Sequence, residues 1–194
     1  MREKKLILVT GGARSGKSSF AERLAKEAQK PVTYIATCQP LDEEMAFRIQ
    51  EHRKRRPKNW KTVEEPFNPT DIIAKEGKSD GVILLDCLAL LVSNLLLREK
   101  DPNDPKSFSR VIEEIENLAI TCRSVKGEVI VVTNEVGMGV VPEYPLGRTY
   151  RDLLGKANQI MALYSDSVYL LVCGIPVDVK QLNRVLEKGV YDLQ

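Results

Sequence analysis

Histidine is almost missing from this chain: His52 is the only one in 194 residues. Cysteine is sparse too. Cys38, Cys87, Cys122 and Cys173 stand far apart with no CxxC pair. That spacing supports neither a zinc site nor a disulfide framework, so reduced thiols in a cytoplasmic protein are the expectation. No apolar run approaches the roughly 20 residues needed to span a bilayer, which excludes a membrane span. The opening MREKKLILVT is charged and then apolar, but it runs into a glycine-rich loop where a signal peptide would have its cleavage site. A first β-strand is predicted there instead. Neither sign of charge is in excess: 29 Lys and Arg face 27 Asp and Glu, for a net charge of +2. A general nucleic-acid binder is therefore not expected. Internal repeats and low-complexity tracts are also lacking. What remains is 43% hydrophobic and 29% charged, an ordinary globular composition. The length suits one domain over residues 1–194.

Five short runs are rich in β-branched residues: LILVT (6–10), VTYIAT (32–37), GVILLD (81–86), EVIVVT (128–133) and SVYLLV (167–172). Each is nearly continuous in hydrophobicity, as strands buried on both faces of a parallel sheet are. Helical stripes lie between them, with Phe20, Leu24 and Ala28 in 17–29 and Val111, Ile115 and Leu118 in 107–122. A third helical pattern covers 147–164. The stretch DPNDPKS (101–107) is expected to be a surface loop. Alternation of strand and helix predicts an α/β fold with a mostly parallel, doubly wound sheet flanked by helices, of the P-loop NTPase type.

The loop GGARSGKS (11–18) follows the first run and fits G-x-x-x-x-G-K-[ST] at every fixed position. Gly11 and Gly16 let the backbone curl so that its N–H groups face phosphate oxygens. Lys17 is expected to reach the β and γ phosphates, and the Ser18 hydroxyl to ligate Mg²⁺. The helix beginning there adds its positive end. Asp86, closing the third run, is the expected carboxylate partner of the metal. ATP or GTP is the expected ligand.

His52 sits in PLDEEMAFRIQEHRKRRP (40–57), directly before Arg53, Lys54, Arg55 and Arg56. Pro40 suits a first helical turn, with Asp42, Glu43 and Glu44 near its positive end and the cations near the other. Met45, Ile49 and His52 share one face by i, i+4, i+7 spacing. Two readings stand side by side. An inward histidine is commonly a packed core residue. Alternatively, an imidazole near an α-phosphate can attack phosphorus and form a phosphoramidate. The neighbouring cations would keep it neutral and stabilise charge on the transferring phosphate.

Several segments together resemble one known family. They are VTGGARSGKS, YIAT followed by DEEM, RIQEHRKRRP with NW and TVEEP, LLDCL, TNEVGMGVVPEYPLGRTYRD and GIPVDVK. They are similar to the bifunctional adenosylcobinamide kinase / adenosylcobinamide-phosphate guanylyltransferases, from about residue 6 to about residue 180. The resemblance implies phosphorylation of the aminopropanol hydroxyl of adenosylcobinamide by ATP or GTP. It then implies GMP transfer from GTP through a guanylylated histidine, giving adenosylcobinamide-GDP and pyrophosphate. That histidine corresponds to His52, with Lys17 and Asp86 as the other catalytic residues. Nucleotide contacts are implied for Thr10, Gly11, Gly12, Ala13, Arg14, Ser15, Gly16, Lys17, Ser18, Thr37, the 53–56 run, Glu64 and Asp86. Ser18 and Asp86 would hold Mg²⁺. Relatives form homo-oligomers, reportedly trimers.

EVGMGVVPEYPLGRTYRD (135–152) reads as a long loop at the carboxyl edge of the sheet, where ligands bind in such folds. Glu135, Arg148 and Arg151 in it are either substrate or nucleotide contacts or surface ion pairs. A simpler P-loop small-molecule kinase with a structural His52 is the rival reading, and a regulatory nucleotide-binding module is a second. Neither predicts a covalent nucleotide intermediate.

Overall fold

The computed structural model describes residues 5–40 and 42–191. The side chains of Glu44, Arg48, His52, Arg55 and residues 186–191 lie outside the description. The elements run β1 (Leu6–Gly11), α1 (Lys17–Glu27), β2 (Val32–Ala36), α2 (Glu43–Arg55), β3 (Lys61–Glu64), α3 (Pro69–Glu76) and β4 (Val82–Asp86). They continue with α4 (Leu88–Arg98), α5 (Pro105–Ser124), β5 (Glu128–Val132), α6 (Pro145–Tyr164), β6 (Ser167–Val172), β7 (Ile175–Asp178) and α7 (Val179–Tyr191).

All seven strands join one sheet in the order β3-β2-β4-β5-β1-β6-β7. Every pairing is parallel except β6 with β7. The predicted fold class is the observed one. The middle of the sheet is covered on both faces, which is why its strands are apolar at successive positions: Val82, Ile83, Leu84 and Leu85 are all buried, as are Val129 to Val132. β3 and β7 went unpredicted for the opposite reason. They are four-residue edge strands whose side chains stay largely accessible, so their sequences carry little hydrophobic signal.

Connections set the working end of the molecule. β5 and β4 lie between β1 and β2 in the sheet, so the chain leaving β1 must cross two strands before pairing again. The α1 helix makes that crossing and packs on β4 and β5. Because β1, β4 and β5 are parallel, the phosphate loop after β1, Asp86 at the end of β4 and Asn134 just beyond β5 share one edge. This carboxyl edge is where doubly wound sheets bind ligands.

Three boundaries differ from the sequence reading. α2 starts at Glu43 rather than near Pro40, because Asp42 caps it by accepting a hydrogen bond from the Met45 N–H at 2.6 Å. α5 starts at Pro105 inside the expected loop, with Asp104 accepting from the Lys106 N–H at 2.9 Å. α6 starts at Pro145, which suits a first helical position, so the expected 135–152 loop ends there. Arg148 and Arg151 therefore stand on a helix.

Candidate active site

The phosphate loop is shaped by close approach. Gly11 has φ of 147°, and a Cβ there would stand 2.6 Å from the Leu171 carbonyl oxygen and 2.8 Å from Ser15 Oγ. Gly16 has φ of 94° and forms the left-handed N-cap of α1. Neighbouring segments hold the loop through backbone bonds: the Glu135 N–H donates to the Gly11 carbonyl at 3.0 Å, and the Gly174 N–H to the Ser15 carbonyl at 3.0 Å. α1 opens with no side-chain cap and no acidic residue in its first turn. Among the described residues nothing compensates its first N–H groups or its positive end. An anion suits that position.

Lys17 is buried, and its Nζ donates to the Gly12 carbonyl at 2.6 Å. Burial pulls its pKa below the ordinary lysine value, with the nearby Asp86 carboxylate opposing. Such an ammonium lacks the solvation it would have in water and gains more than an exposed one from meeting phosphate.

A cavity of about 590 Å³ opens beside this loop. Four elements contribute its charged lining: Arg14 and Lys17 from the phosphate loop and α1, Arg53 and Arg56 from α2 and its end, Glu64 from β3, and Asp86 from β4. Ser18 also faces it, as do Met45 and Ile49. The predicted inward face of α2 therefore does look into the site. Arg53 and Glu64 form an ion pair across it.

Tyr34 and Asn134 line the cavity as well, and sequence reasoning singled out neither. Tyr34 lies inside a strand that reads as core. Its hydroxyl donates to Asp86 Oδ2 at 2.7 Å, and its ring carries the Arg56 guanidinium 3.5 Å from the ring centroid. Burial, reinforced by the Asp86 charge, raises the Tyr34 pKa, so the hydroxyl stays protonated and donates. Asn134 follows the end of β5, and a polar residue just past a central strand of such a sheet is a recognisable signal.

Among the described residues, the buried side-chain polar atoms without a hydrogen-bond partner are Thr10 Oγ1, Ser15 Oγ and Arg56 Nε. Ser15 belongs to the phosphate loop, Thr10 directly precedes it on β1, and Arg56 lines the cavity. Orphaned polar atoms are rare in native interiors, and their gathering here marks a place where a polar ligand completes the structure.

Other expected residues fall elsewhere. Thr37 is fully buried and does not line the cavity. Its hydroxyl donates to the Cys87 carbonyl at 2.7 Å and accepts from the Cys87 N–H at 2.8 Å, so it ties β2 to β4. Lys54 points away and pairs with Glu51 at 2.7 Å. Glu135 accepts from the Gly137 N–H at 2.6 Å, and Arg148 donates to the carbonyls of Pro142 and Glu143. Arg151 pairs with Asp152 at 3.0 Å. None of these last three lines the cavity. His52 and Arg55 belong to α2 by sequence, but their side chains are outside the described residues. The Cys87 thiol is buried beside Asp86, and burial pushes its pKa up to about 12, which leaves it inert.

A divalent cation that prefers oxygen fits the residues present. The Ser18 hydroxyl and the Asp86 carboxylate face the same cavity, and Tyr34 occupies only one carboxylate oxygen. Hard oxygen donors plus water and phosphate suit Mg²⁺.

A solved chain described as a prototypical ATPase from the type III secretion system of pathogenic bacteria shares the fold, with a TM-score of 0.57 over 92% of this chain and 58% of that one. At 11% identity that likeness concerns the fold alone. The bifunctional adenosylcobalamin biosynthesis proteins CobU of Escherichia coli and Salmonella typhimurium are each 45% identical, over 90% of this chain and 99% of theirs. The corresponding CobP of Pseudomonas aeruginosa is 43% identical over 89% of this chain and 96% of its own. Residues 7–179 match the family described as cobinamide kinase / cobinamide phosphate guanyltransferase, and the chain is a member of that transferase family.

Proposed function

We propose that one cavity carries out both reactions of the family: phosphorylation of the adenosylcobinamide hydroxyl by ATP or GTP, then GMP transfer from GTP to the product. The observation that carries this reading is the convergence of Lys17, Asp86, Arg53 and Arg56 on a single 590 Å³ cavity. Because one grip serves both steps, the 1–194 chain is read as one functional domain.

Lys17 and the start of α1 hold the β and γ phosphates. In the first reaction this grip presents the γ-phosphoryl group to the acceptor hydroxyl in line. In the second, a neutral His52 nitrogen attacks the α-phosphorus: an N–P bond forms, the α–β bridging P–O bond breaks, and pyrophosphate leaves with its charge already compensated. The cobinamide phosphate oxygen then attacks the same phosphorus, breaks the N–P bond and returns the imidazole. Arg53 and Arg56 stabilise the charge that develops. Ser18 and Asp86 would hold Mg²⁺, which neutralises phosphate charge when bound.

The same reading includes a homo-oligomer and a cytoplasmic setting. Exposed apolar side chains on β7 and α7, among them Ile175, Val177, Leu182 and Val185, support the former. Among the described residues no helix is long and apolar enough to cross a membrane.

The deciding experiment is incubation with GTP labelled at the α-phosphate, followed by peptide mass analysis. GMP is expected on the His52 peptide, stable in alkali and lost in acid. His52→Ala is expected to form no adduct while still phosphorylating cobinamide. An adduct on a lysine, or normal GDP-cobinamide formation by His52→Ala, overturns the histidine route. Normal GDP-cobinamide formation by that variant means a guanylyl transfer that bypasses His52. Wild-type protein that phosphorylates cobinamide but gives neither adduct nor GDP-cobinamide is better described as a simple nucleotide-dependent kinase with a structural histidine.

A further inference from the structure

Tyr34 joins the two halves of the site. It comes from β2, between the strand that ends in Asp86 and the edge strand that carries Glu64. It is almost fully buried. Its hydroxyl meets Asp86 Oδ2 at 2.7 Å on one side, and its ring face meets the Arg56 guanidinium at 3.5 Å on the other. Trp60 stacks against it with ring centroids 6.5 Å apart, which limits how the ring can turn. Both of Tyr34's polar neighbours, Asp86 and Arg56, line the nucleotide cavity.

We propose that Tyr34 is a positioning residue that sets the metal-side carboxylate and the phosphate-side guanidinium at once. Its O–H occupies one Asp86 oxygen and so leaves a single, oriented oxygen for a cation. A carboxylate without that bond is free to rotate and to present either oxygen. Its ring supports Arg56 by cation–π contact, so the planar guanidinium lies flat at the cavity wall. Arg56 lines the cavity, which offers its guanidinium to a phosphate oxygen. Lysine cannot reproduce that arrangement, having neither the plane nor the fork of donors. The inference rests on the reading that Asp86 serves the metal and Arg56 the phosphates.

The two contacts can be removed separately, which makes the proposal testable by calorimetric titration of a non-hydrolysable GTP analogue with and without MgCl₂. Tyr34→Phe keeps the ring and deletes only the hydroxyl. The affinity gained on adding magnesium should shrink about tenfold, the scale of a lost hydrogen bond to a charged group, while magnesium-free affinity changes less than twofold. Arg56→Lys should weaken binding alike with and without magnesium. Asp86→Asn serves as the control and should lose the magnesium gain entirely.

A wild-type magnesium gain in Tyr34→Phe alongside a lost gain in Asp86→Asn overturns the positioning role and leaves the site reading intact. Equal weakening of Tyr34→Phe with and without magnesium also overturns it, because that is the mark of general disruption. A full magnesium gain in Asp86→Asn overturns the site reading itself, and the proposal with it. A measurement that does not require the Tyr34→Phe protein to fold uses wild type and Asp86→Asn labelled with ¹³C at the tyrosine ζ-carbon. The hydrogen-bonded Tyr34 signal should shift in Asp86→Asn, and an unchanged signal overturns the contact.

Discussion

Lys17 is an ammonium that the fold keeps largely out of water before any phosphate arrives. Burial lowers its pKa from the ordinary 10.5. Between that lowered value and 10.5 the unfolded chain binds the extra proton and the folded chain does not. Stability from this group therefore rises with pH through that window, and below it the buried charge is a liability. Phosphate oxygens reverse the balance by giving the ammonium a partner. Nucleotide affinity should therefore fall as pH rises through the lowered value, starting at a more acidic pH than an exposed lysine would dictate. Titrations of a GTP analogue from pH 7 to 10 would show this, and a flat profile would contradict it. Lys17→Met should remove the pH dependence and slow both transfer reactions by about 10²- to 10³-fold, the scale of losing a main charge-stabilising contact. Loss of one reaction with the other untouched would mean two nucleotide sites.

Helices bring the site's second half into place, and the strength of their ends decides how well. Asp42 caps α2 by accepting from the Met45 N–H, and Asp104 caps α5 by accepting from the Lys106 N–H. Replacing either with alanine should cost about 1 kcal/mol of stability, measurable by urea denaturation. Their functional effects should differ. α2 lines the cavity with Met45, Ile49 and Arg53, so a frayed start loosens that wall, and Asp42→Ala should slow guanylyl transfer several-fold at 25 °C. Asp104→Ala, on the far helix α5, should leave the rate as it was. Equal rates in the two variants would show that α2 is held by its packing alone. Asn94 works at the same scale: its Nδ2 donates to the carbonyls of Thr37 and Pro66, both at 2.9 Å, pinning the segments that follow β2 and β3 behind the site.

Across the whole molecule, the sheet is a rigid floor that sets distances between residues far apart in sequence. Leu85 is fully buried and directly precedes Asp86. Leu85→Ala should cost about 2–5 kcal/mol through lost contacts and a residual cavity. For a chain of this size that lowers the thermal midpoint by roughly 5–15 °C. Calorimetry checks the stability loss. Nucleotide binding well below the midpoint should persist, since the strand pairing on both sides of β4 survives.

Strand identity in the central sheet was legible because burial on both faces demands uninterrupted β-branched and aliphatic residues. The phosphate loop was legible because a curled backbone beside phosphate needs glycine, lysine and serine at fixed spacing. The inward stripe of α2 was legible from its 3.6-residue period. Each of these rests on a local constraint that leaves its mark within a few residues. The tertiary structure alone decided which distant groups meet. Tyr34 reads as one more core residue until β2 lands beside β4 and puts its hydroxyl on Asp86. Thr37 reads as a nucleotide contact until the same pairing consumes its hydroxyl on Cys87. The physical reason is common to both: a side chain's role depends on which strand the sheet order sets against it, and strand order has no period in the sequence.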